Sequence, residues 1–287
     1  MNHKLKSYIL LTRLNKPIGS LLLMFPCLWG LIAACSSLSD IKQNMFIFII
    51  FIFGSFIMRS AGCVINDIFD RNIDVKVERT KFRPLANKAI PLHDAVLIFI
   101  TLSLIGLCIL LSLNLLSIKI GVAAFFLLII YPLTKRITHW PQLFLAVTFN
   151  IGVLIGYSAI TNNLSIAIFF LYMAGIFWTL GYDTIYAHQD IDDDISIGVK
   201  STAILFGNSS KYWIASFYLL MTLSLVIFGI ISSQKLLFFV FVLAIITHQF
   251  LQIVKLNIKK PEVCLAIFKS NQYLGLLICI GLLSSYI

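Results

Sequence analysis

Acidic residues recur every three or four positions in one short segment that directly follows an apolar run. The segment, NDIFDRNID, covers residues 66–74. An α-helix turns by about 100° per residue, so Asn66, Asp70 and Asp74 would lie on one stripe, with Asp67 beside Asp74. Carboxylates on one stripe repel each other and are disfavoured near a helix C-terminus. Mg²⁺ binds through carboxylates and substrate phosphates, so these four residues are predicted metal ligands.

A second acidic segment, DTIYAHQDIDDD, covers residues 183–194 and also follows an apolar run. On one continuous helix, Asp183, Asp190 and Asp194 would lie within about 40° of each other. We predict that these three face a metal ion together. Two acidic clusters that face one space suit a strongly anionic ligand, with divalent cations between the negative charges. The alternative for each cluster is an ordinary solvated acidic turn.

Basic residues follow both acidic segments and end a further apolar run. Arginine and lysine bind phosphate oxygens and stabilise negative charge that develops on a leaving group. A role in membrane topology remains the alternative for each of them. The candidate phosphate-binding residues are Arg79, Arg83, Lys135 and Lys200.

The composition indicates a membrane protein. Of the 287 residues, 60% are hydrophobic and only 12% are charged, whereas soluble domains have about 25% charged residues. A spanning helix needs roughly 20 mostly apolar residues. The qualifying runs are about 18–38, 45–65, 93–112, 115–133, 142–160, 164–182, 212–232, 236–256 and 264–286. We therefore predict an all-α, polytopic membrane protein with about nine transmembrane helices.

The distribution of charge predicts the orientation. With the N-terminus in the cytoplasm, 18 of the 22 Lys and Arg residues fall on the cytoplasmic side, as the positive-inside rule requires. The basic residues lie between apolar runs, so the net charge of +10 does not indicate nucleic-acid binding. No linker divides the chain, which predicts a single domain, residues 1–287, with long cytoplasmic loops at about 66–92 and 183–211. No protein partner can be inferred.

Several of these motifs resemble one known family. NDIFDRNID followed by ERTKFRP, DTIYAHQDIDDD followed by GVKST, and YPLTKR are similar to motifs of the UbiA family of intramembrane prenyltransferases. The opening RLNKPIGSLLLMFPCLWG and the stretch KSTAILFG resemble the branch that prenylates 4-hydroxybenzoate. The resemblance covers nearly the whole chain.

The resemblance implies a helical bundle around a central cavity that opens laterally to lipid. It further implies transfer of a polyprenyl group from its diphosphate to the ring carbon ortho to the hydroxyl of 4-hydroxybenzoate, in ubiquinone biosynthesis at the inner membrane. The implied Mg²⁺–diphosphate ligands are Asn66, Asp70, Asp74, Asp190 and Asp194. Tyr131 and Lys135 would lie near the diphosphate and the reacting carbon, and Arg71 or Arg136 is a candidate for the benzoate carboxylate.

Two alternatives remain open. Another member of the same superfamily would prenylate haem or a menaquinone precursor instead. A transporter could use acidic residues within the membrane to relay ions. The four-residue spacing of the acids at helix ends favours a diphosphate ligand over an ion relay.

Overall fold

The computed structural model describes residues 3–286, and within that range the chain is helical with no β-strand. Apart from one 3₁₀ turn at Gly207–Ser209, all elements are α-helices. They are α1 His3–Leu11, α2 Ile18–Ala34, α3 Leu38–Gln43, α4 Met45–Asp74, α5 Leu92–Leu111, α6 Leu115–Thr134, α7 Pro141–Asn150, α8 Gly152–Thr161, α9 Ile166–Ala187, α10 Ile191–Ile197, α11 Thr202–Phe206, α12 Ser210–Ile231, α13 Leu236–Lys255 and α14 Pro261–Ser284.

Eight helical segments of the described chain are long and apolar enough to cross a membrane. One of them, Pro141–Thr161, comprises α7 and α8, which are separated at Ile151. The shorter helix α2 has 17 residues, at the lower limit for a span. Each of the nine predicted segments thus corresponds to an apolar helix, and the predicted all-α membrane fold is confirmed.

The two acidic segments differ in conformation. Helix α4 continues through Asp74, so the predicted helical stripe exists. The prediction of a continuous helix through Asp194 was wrong, because α9 ends at Ala187 and α10 begins at Ile191. The interruption places Asp192, Asp193 and Asp194 in the first turn of α10, where the helix dipole favours negative charge.

Small residues bring α2 and α8 into direct backbone contact. A Cβ atom on Gly30 would lie 2.1 Å from the carbonyl oxygen of Val153, and one on Gly156 would lie 2.6 Å from that of Cys27. Close backbone approach of this kind is typical of helix packing in membranes. Nearby, the buried rings of Trp29 and Trp178 pack 5.1 Å apart, so large aromatic side chains fill the contact between α2 and α9.

A separate apolar cluster joins α1 to the loop between α4 and α5. Buried Leu11 of α1 packs with Val64 of α4, with Leu85 and Ile90 of the loop, and with Ala95 of α5. The Tyr8 hydroxyl also donates a 3.0 Å hydrogen bond to Asp94. These contacts hold loop 75–91 against the end of the bundle where both acidic segments lie.

Candidate active site

A polar cavity of about 190 Å³ lies where α4, α6 and α9 end. Most of the residues predicted from the motifs line it, including acids from segments more than a hundred positions apart. The predicted residues in its wall are Asn66, Asp70, Asp74, Arg79, Arg83, Tyr131, Lys135, Asp183, Asp190, Asp194 and Lys200.

The acids of the first segment are paired with cations from other elements. Lys135 forms an ion pair with Asp70, whose carboxylate is 1% exposed. The Arg83 guanidinium donates to both oxygens of Asp74, at 3.0 and 2.9 Å. Lys135 follows α6 and Arg83 lies in the α4–α5 loop, so the cavity joins α4, the turn after α6 and this loop.

The second segment binds the same loop. The Arg79 Nε donates to both carboxylate oxygens of Asp190, at 2.7 and 2.9 Å. Arg79 also donates to the Tyr186 hydroxyl at 3.1 Å, and its guanidinium lies over that ring. The carboxylate of Asp193 accepts a 3.0 Å hydrogen bond from the Glu78 backbone N–H. These contacts close the cavity on its loop side.

The Asp194 carboxyl has a raised pKa in the folded protein. Burial raises the pKa of its carboxyl to about 7, and the negative charge of Asp190 adds to the rise. Lys135 and Arg79 oppose it. Burial and the Asp190 charge thus outweigh the two neighbouring cations, and a divalent cation bound to this carboxylate would favour its ionised form.

Three predicted site residues lie outside the cavity wall. Asp67 is buried and forms ion pairs with Arg13 and Arg83. Arg71 donates to the Ile68 carbonyl at 2.8 Å, within its own helix. Arg136 is half exposed, donates to the Phe69 carbonyl at 2.7 Å and places its Nη2 3.9 Å from Oδ1 of Asp70. The helical stripe predicted Asp67 but not the direction of its side chain, and the positions of Arg71 and Arg136 depend on contacts that no local pattern specifies.

Lys200 lines the cavity, but its ammonium group points to the backbone. It donates to the Ile137 carbonyl at 3.0 Å, while the Lys200 N–H donates to the Lys135 carbonyl at 2.9 Å. Both bonds tie the segment after α10 to the turn that carries Lys135.

A second, apolar cavity of about 540 Å³ adjoins the polar one. Side chains of α4, α5, α6, α7 and α8 line it, and Tyr131 belongs to the wall of both cavities. An anionic head in the polar cavity and a long apolar tail in the other could therefore be bound side by side.

Arg59 is a site candidate that the sequence motifs do not include. Its side chain lines the apolar cavity, its Nε is buried with no hydrogen-bond partner among the described residues, and its guanidinium lies over the Phe149 ring at 5.4 Å. It precedes Asn66 by seven residues, about two helical turns, so both share one face of α4. A lone cation within an apolar helix is the signal that could have identified it.

The donor set of the polar cavity fits Mg²⁺. Among the residues whose side chains the structure describes, no three His, Cys, Asp or Glu residues form a metal cluster by themselves. Mg²⁺ does not require one, because it commonly binds one or two carboxylates and takes its other ligands from phosphates and water. One oxygen of Asp70, Oδ1, is buried without a hydrogen-bond partner, and it is a hard ligand of the right kind.

Comparisons with known sequences show which proteins the chain is similar to. The model of the UbiA prenyltransferase family matches residues 23–277. The mitochondrial 4-hydroxybenzoate polyprenyltransferase of Drosophila pseudoobscura pseudoobscura is 42% identical over 278 residues, which are 96% of this chain and 70% of the relative. The 4-hydroxybenzoate octaprenyltransferase of Shewanella sp. (strain ANA-3) is 40% identical over 287 residues, 100% of this chain and 99% of the relative.

Solved structures share the fold. The apo structure of a UbiA homologue from Aeropyrum pernix K1 matches with a TM-score of 0.73 at 22% identity, over 93% of this chain and 96% of that one. A UbiA homologue from Archaeoglobus fulgidus bound to GPP and Mg²⁺ matches with a TM-score of 0.71 at 17% identity, over 97% and 99%. By the family model and by relatives matched over nearly its whole length, the chain belongs to the UbiA prenyltransferase family.

Proposed function

We propose that this protein transfers a polyprenyl group from polyprenyl diphosphate to 4-hydroxybenzoate in a Mg²⁺-dependent reaction. The product is 3-polyprenyl-4-hydroxybenzoate, an intermediate of ubiquinone biosynthesis. The observation that carries the proposal is the polar cavity: it collects acids and cations of two distant segments beside an apolar cavity, with Tyr131 shared by both. The relatives named for this reaction support the choice of acceptor.

The polar cavity binds the diphosphate. Asn66, Asp70, Asp74, Asp190 and Asp194 are the residues that would hold Mg²⁺, with Asp183 deeper in the same wall. When bound, Mg²⁺ supplies Lewis-acid stabilisation of the charge on the diphosphate oxygens.

Cationic side chains of the cavity act on the leaving group. Lys135, Arg79 and Arg83 present positive groups to the cavity, so they bind diphosphate oxygens and stabilise the charge that grows as the C1–O bond breaks. Lys200 keeps the Lys135 turn in place through its backbone contacts. The ring carbon of the acceptor attacks the allyl cation, and an aspartate of the cavity or the released diphosphate takes the ring proton.

The apolar cavity binds the prenyl tail and excludes water from the cation. Its wall contains Phe99, Phe125 and Phe149 together with aliphatic side chains. Aromatic faces stabilise a nearby cation, and a dry wall prevents its capture by water. Tyr131 lies where the two cavities meet, beside the reacting carbon.

Arg59, in place of Arg71 or Arg136, binds the acceptor carboxylate. Arg71 donates to a backbone carbonyl of its own helix, and Arg136 donates to the Phe69 carbonyl and pairs with Asp70 at 3.9 Å. Arg59 instead offers a buried, unpaired Nε. Arg59 interacts electrostatically with the Asp183 carboxylate but forms no hydrogen bond with it. Its Nε is therefore free to donate to a second anionic group, and a benzoate carboxylate next to Tyr131 provides one.

We further propose that the protein lies in the cytoplasmic (inner) membrane, with its N-terminus and both active-site loops in the cytoplasm and its C-terminus on the opposite side. The excess of Lys and Arg in the segments that share the end of the cavity supports this orientation. The whole chain acts as a single prenyltransferase domain.

One experiment tests the proposal. Purified protein in detergent is given labelled 4-hydroxybenzoate and prenyl donors of increasing length, with and without EDTA. Formation of the ortho-prenylated acid, lost with EDTA and restored by Mg²⁺, is the expected result. Product only with haem or a menaquinone precursor would assign the chain to another branch, and absence of diphosphate release with every acceptor would leave a transporter as the explanation.

A further inference from the structure

One of the two most deeply buried acids of the first motif does not line the polar cavity. Asp67 is 1% exposed and lies outside the cavity wall. Its two carboxylate oxygens each accept a 2.9 Å hydrogen bond from Nη2 of Arg13. One of them, Oδ1, also accepts a 3.1 Å hydrogen bond from Nη1 of Arg83.

Arg83 connects this buried pair to the cavity. Its Nη1 donates both to Asp67 and to Asp74, and its side chain lines the cavity that Asp74 also lines. Arg13, Asp67 and Arg83 thus form a continuous chain of ion pairs from the N-terminal segment to the site. A buried carboxylate needs cationic partners, and Asp67 obtains its charge balance from these two arginines.

The N-terminal segment holds Arg13 in a defined position. Arg13 adopts a positive φ of 58°, which is uncommon for a residue with a side chain. Its Nη1 donates to the Leu10 carbonyl at 2.5 Å, and its own carbonyl accepts from the Lys16 N–H at 2.9 Å. The neighbouring Leu11 is fully buried against α4 and the loop that carries Arg83. The turn after α1 is thus built to aim the guanidinium at Asp67.

We propose that Arg13 and Asp67 are positioning residues that keep the Arg83 guanidinium at the diphosphate site. With Arg13 present, Asp67 is neutralised from the side away from the cavity, and Arg83 is shared with Asp74. Without Arg13, the buried Asp67 charge draws Arg83 away from the cavity. This inference rests on the proposed function, since it assigns Arg83 to the diphosphate.

The test measures binding of a non-hydrolysable geranyl diphosphate analogue in Mg²⁺, together with turnover. Arg13→Gln is expected to weaken analogue binding and raise KM for the donor by about tenfold, the loss of roughly one charge-assisted hydrogen bond. The kcat and the KM for the acceptor stay within about twofold. In the double variant Arg13→Gln/Asp67→Asn, the charge that withdraws Arg83 is gone, so donor binding returns to within about threefold of the unmodified protein.

Two further variants separate positioning from packing. Tyr8→Phe removes another contact of α1, the hydrogen bond from the Tyr8 hydroxyl to Asp94, and leaves Arg13 in place. This variant is expected to bind the analogue as tightly as the unmodified protein does. Arg13→Lys keeps the positive charge, so it should bind the analogue more tightly than Arg13→Gln does. If Arg13→Gln does not fold, analogue binding by Arg13→Lys is compared with that of the unmodified protein instead.

The inference is overturned if Arg13→Gln binds the analogue as well as the unmodified protein, if Asp67→Asn brings no recovery, or if Tyr8→Phe causes the same loss. In those cases the unmodified protein still binds the analogue, and the proposed function stands. If the unmodified protein itself does not bind the analogue, the proposed function fails and this inference fails with it.

Discussion

Replacing Arg59 by glutamine should reduce selectivity for the acceptor carboxylate. The guanidinium lies in the wall of the apolar cavity, its Nε has no hydrogen-bond partner within the described chain, and it rests on the ring of Phe149. A hydrogen bond to a charged group contributes about 1.5–3 kcal/mol. At about 1.4 kcal/mol per tenfold change in rate, kcat/KM for 4-hydroxybenzoate should fall about 10- to 150-fold.

The assay compares two acceptors that differ only in the anionic group. 4-Hydroxybenzyl alcohol has the same ring and hydroxyl as 4-hydroxybenzoate but no carboxylate, so Arg59→Gln should leave its weaker rate nearly unchanged. Arg71→Gln is the matched control, because Arg71 donates to a backbone carbonyl of its own helix and lines neither cavity. An equal loss for both acceptors in Arg59→Gln, or a larger loss in Arg71→Gln, would refute the assignment of the carboxylate to Arg59.

Three further predictions concern the two cavities. Asp70→Asn and Asp190→Asn should each abolish Mg²⁺-dependent product formation in a radiochemical assay, whereas normal activity in either variant would contradict their role in Mg²⁺–diphosphate binding. Burial raises the pKa of Asp194 from 3.8 to about 7. The folded protein therefore protonates Asp194 as pH falls through 7, before the unfolded chain does, and its stability relative to the unfolded chain increases. Since only the carboxylate binds Mg²⁺, the Mg²⁺-induced rise in Tm should be larger at pH 8 than at pH 6, and a rise independent of pH would count against Asp194 as a ligand. A Cβ atom on Gly54 would lie 3.6 Å from Ile109, an ordinary van der Waals contact, so Gly54→Leu should fold and fill part of the apolar cavity. In this variant kcat/KM should fall more for long prenyl donors than for geranyl diphosphate. An equal fall for all donors would show that the tail does not pass this position.

The motifs predicted the family correctly. Each motif is a short contiguous segment, so its residue types and spacing can be recognised without knowledge of the tertiary structure. The spacing of Asn66, Asp70 and Asp74 is a property of helical geometry, and α4 does continue through them. The apolar runs likewise correspond to the helices, since a membrane span is determined by its own composition. These parts of the structure depend on neighbours within a few turns of the same helix.

The second acidic segment shows where such local reasoning fails. A single helical stripe through Asp183, Asp190 and Asp194 does not exist, because the chain breaks between α9 and α10. The three carboxylates nevertheless line one cavity. The break, stabilised by the pairing of Arg79 with Asp190 across 111 positions, depends on a loop that the segment itself does not contain.

The sequence by itself determined the helices, the two acidic motifs and the chemistry that those residue types can support. Only the tertiary structure decided which of the motif residues share a cavity: Asp70 faces Lys135, while its neighbour Asp67 is occupied by Arg13. It also brought Arg59 to the wall beside Tyr131. The physical reason is that a carboxylate or guanidinium in a low-dielectric bundle takes its role from the charge nearest in space, and that charge belongs to a distant part of the chain.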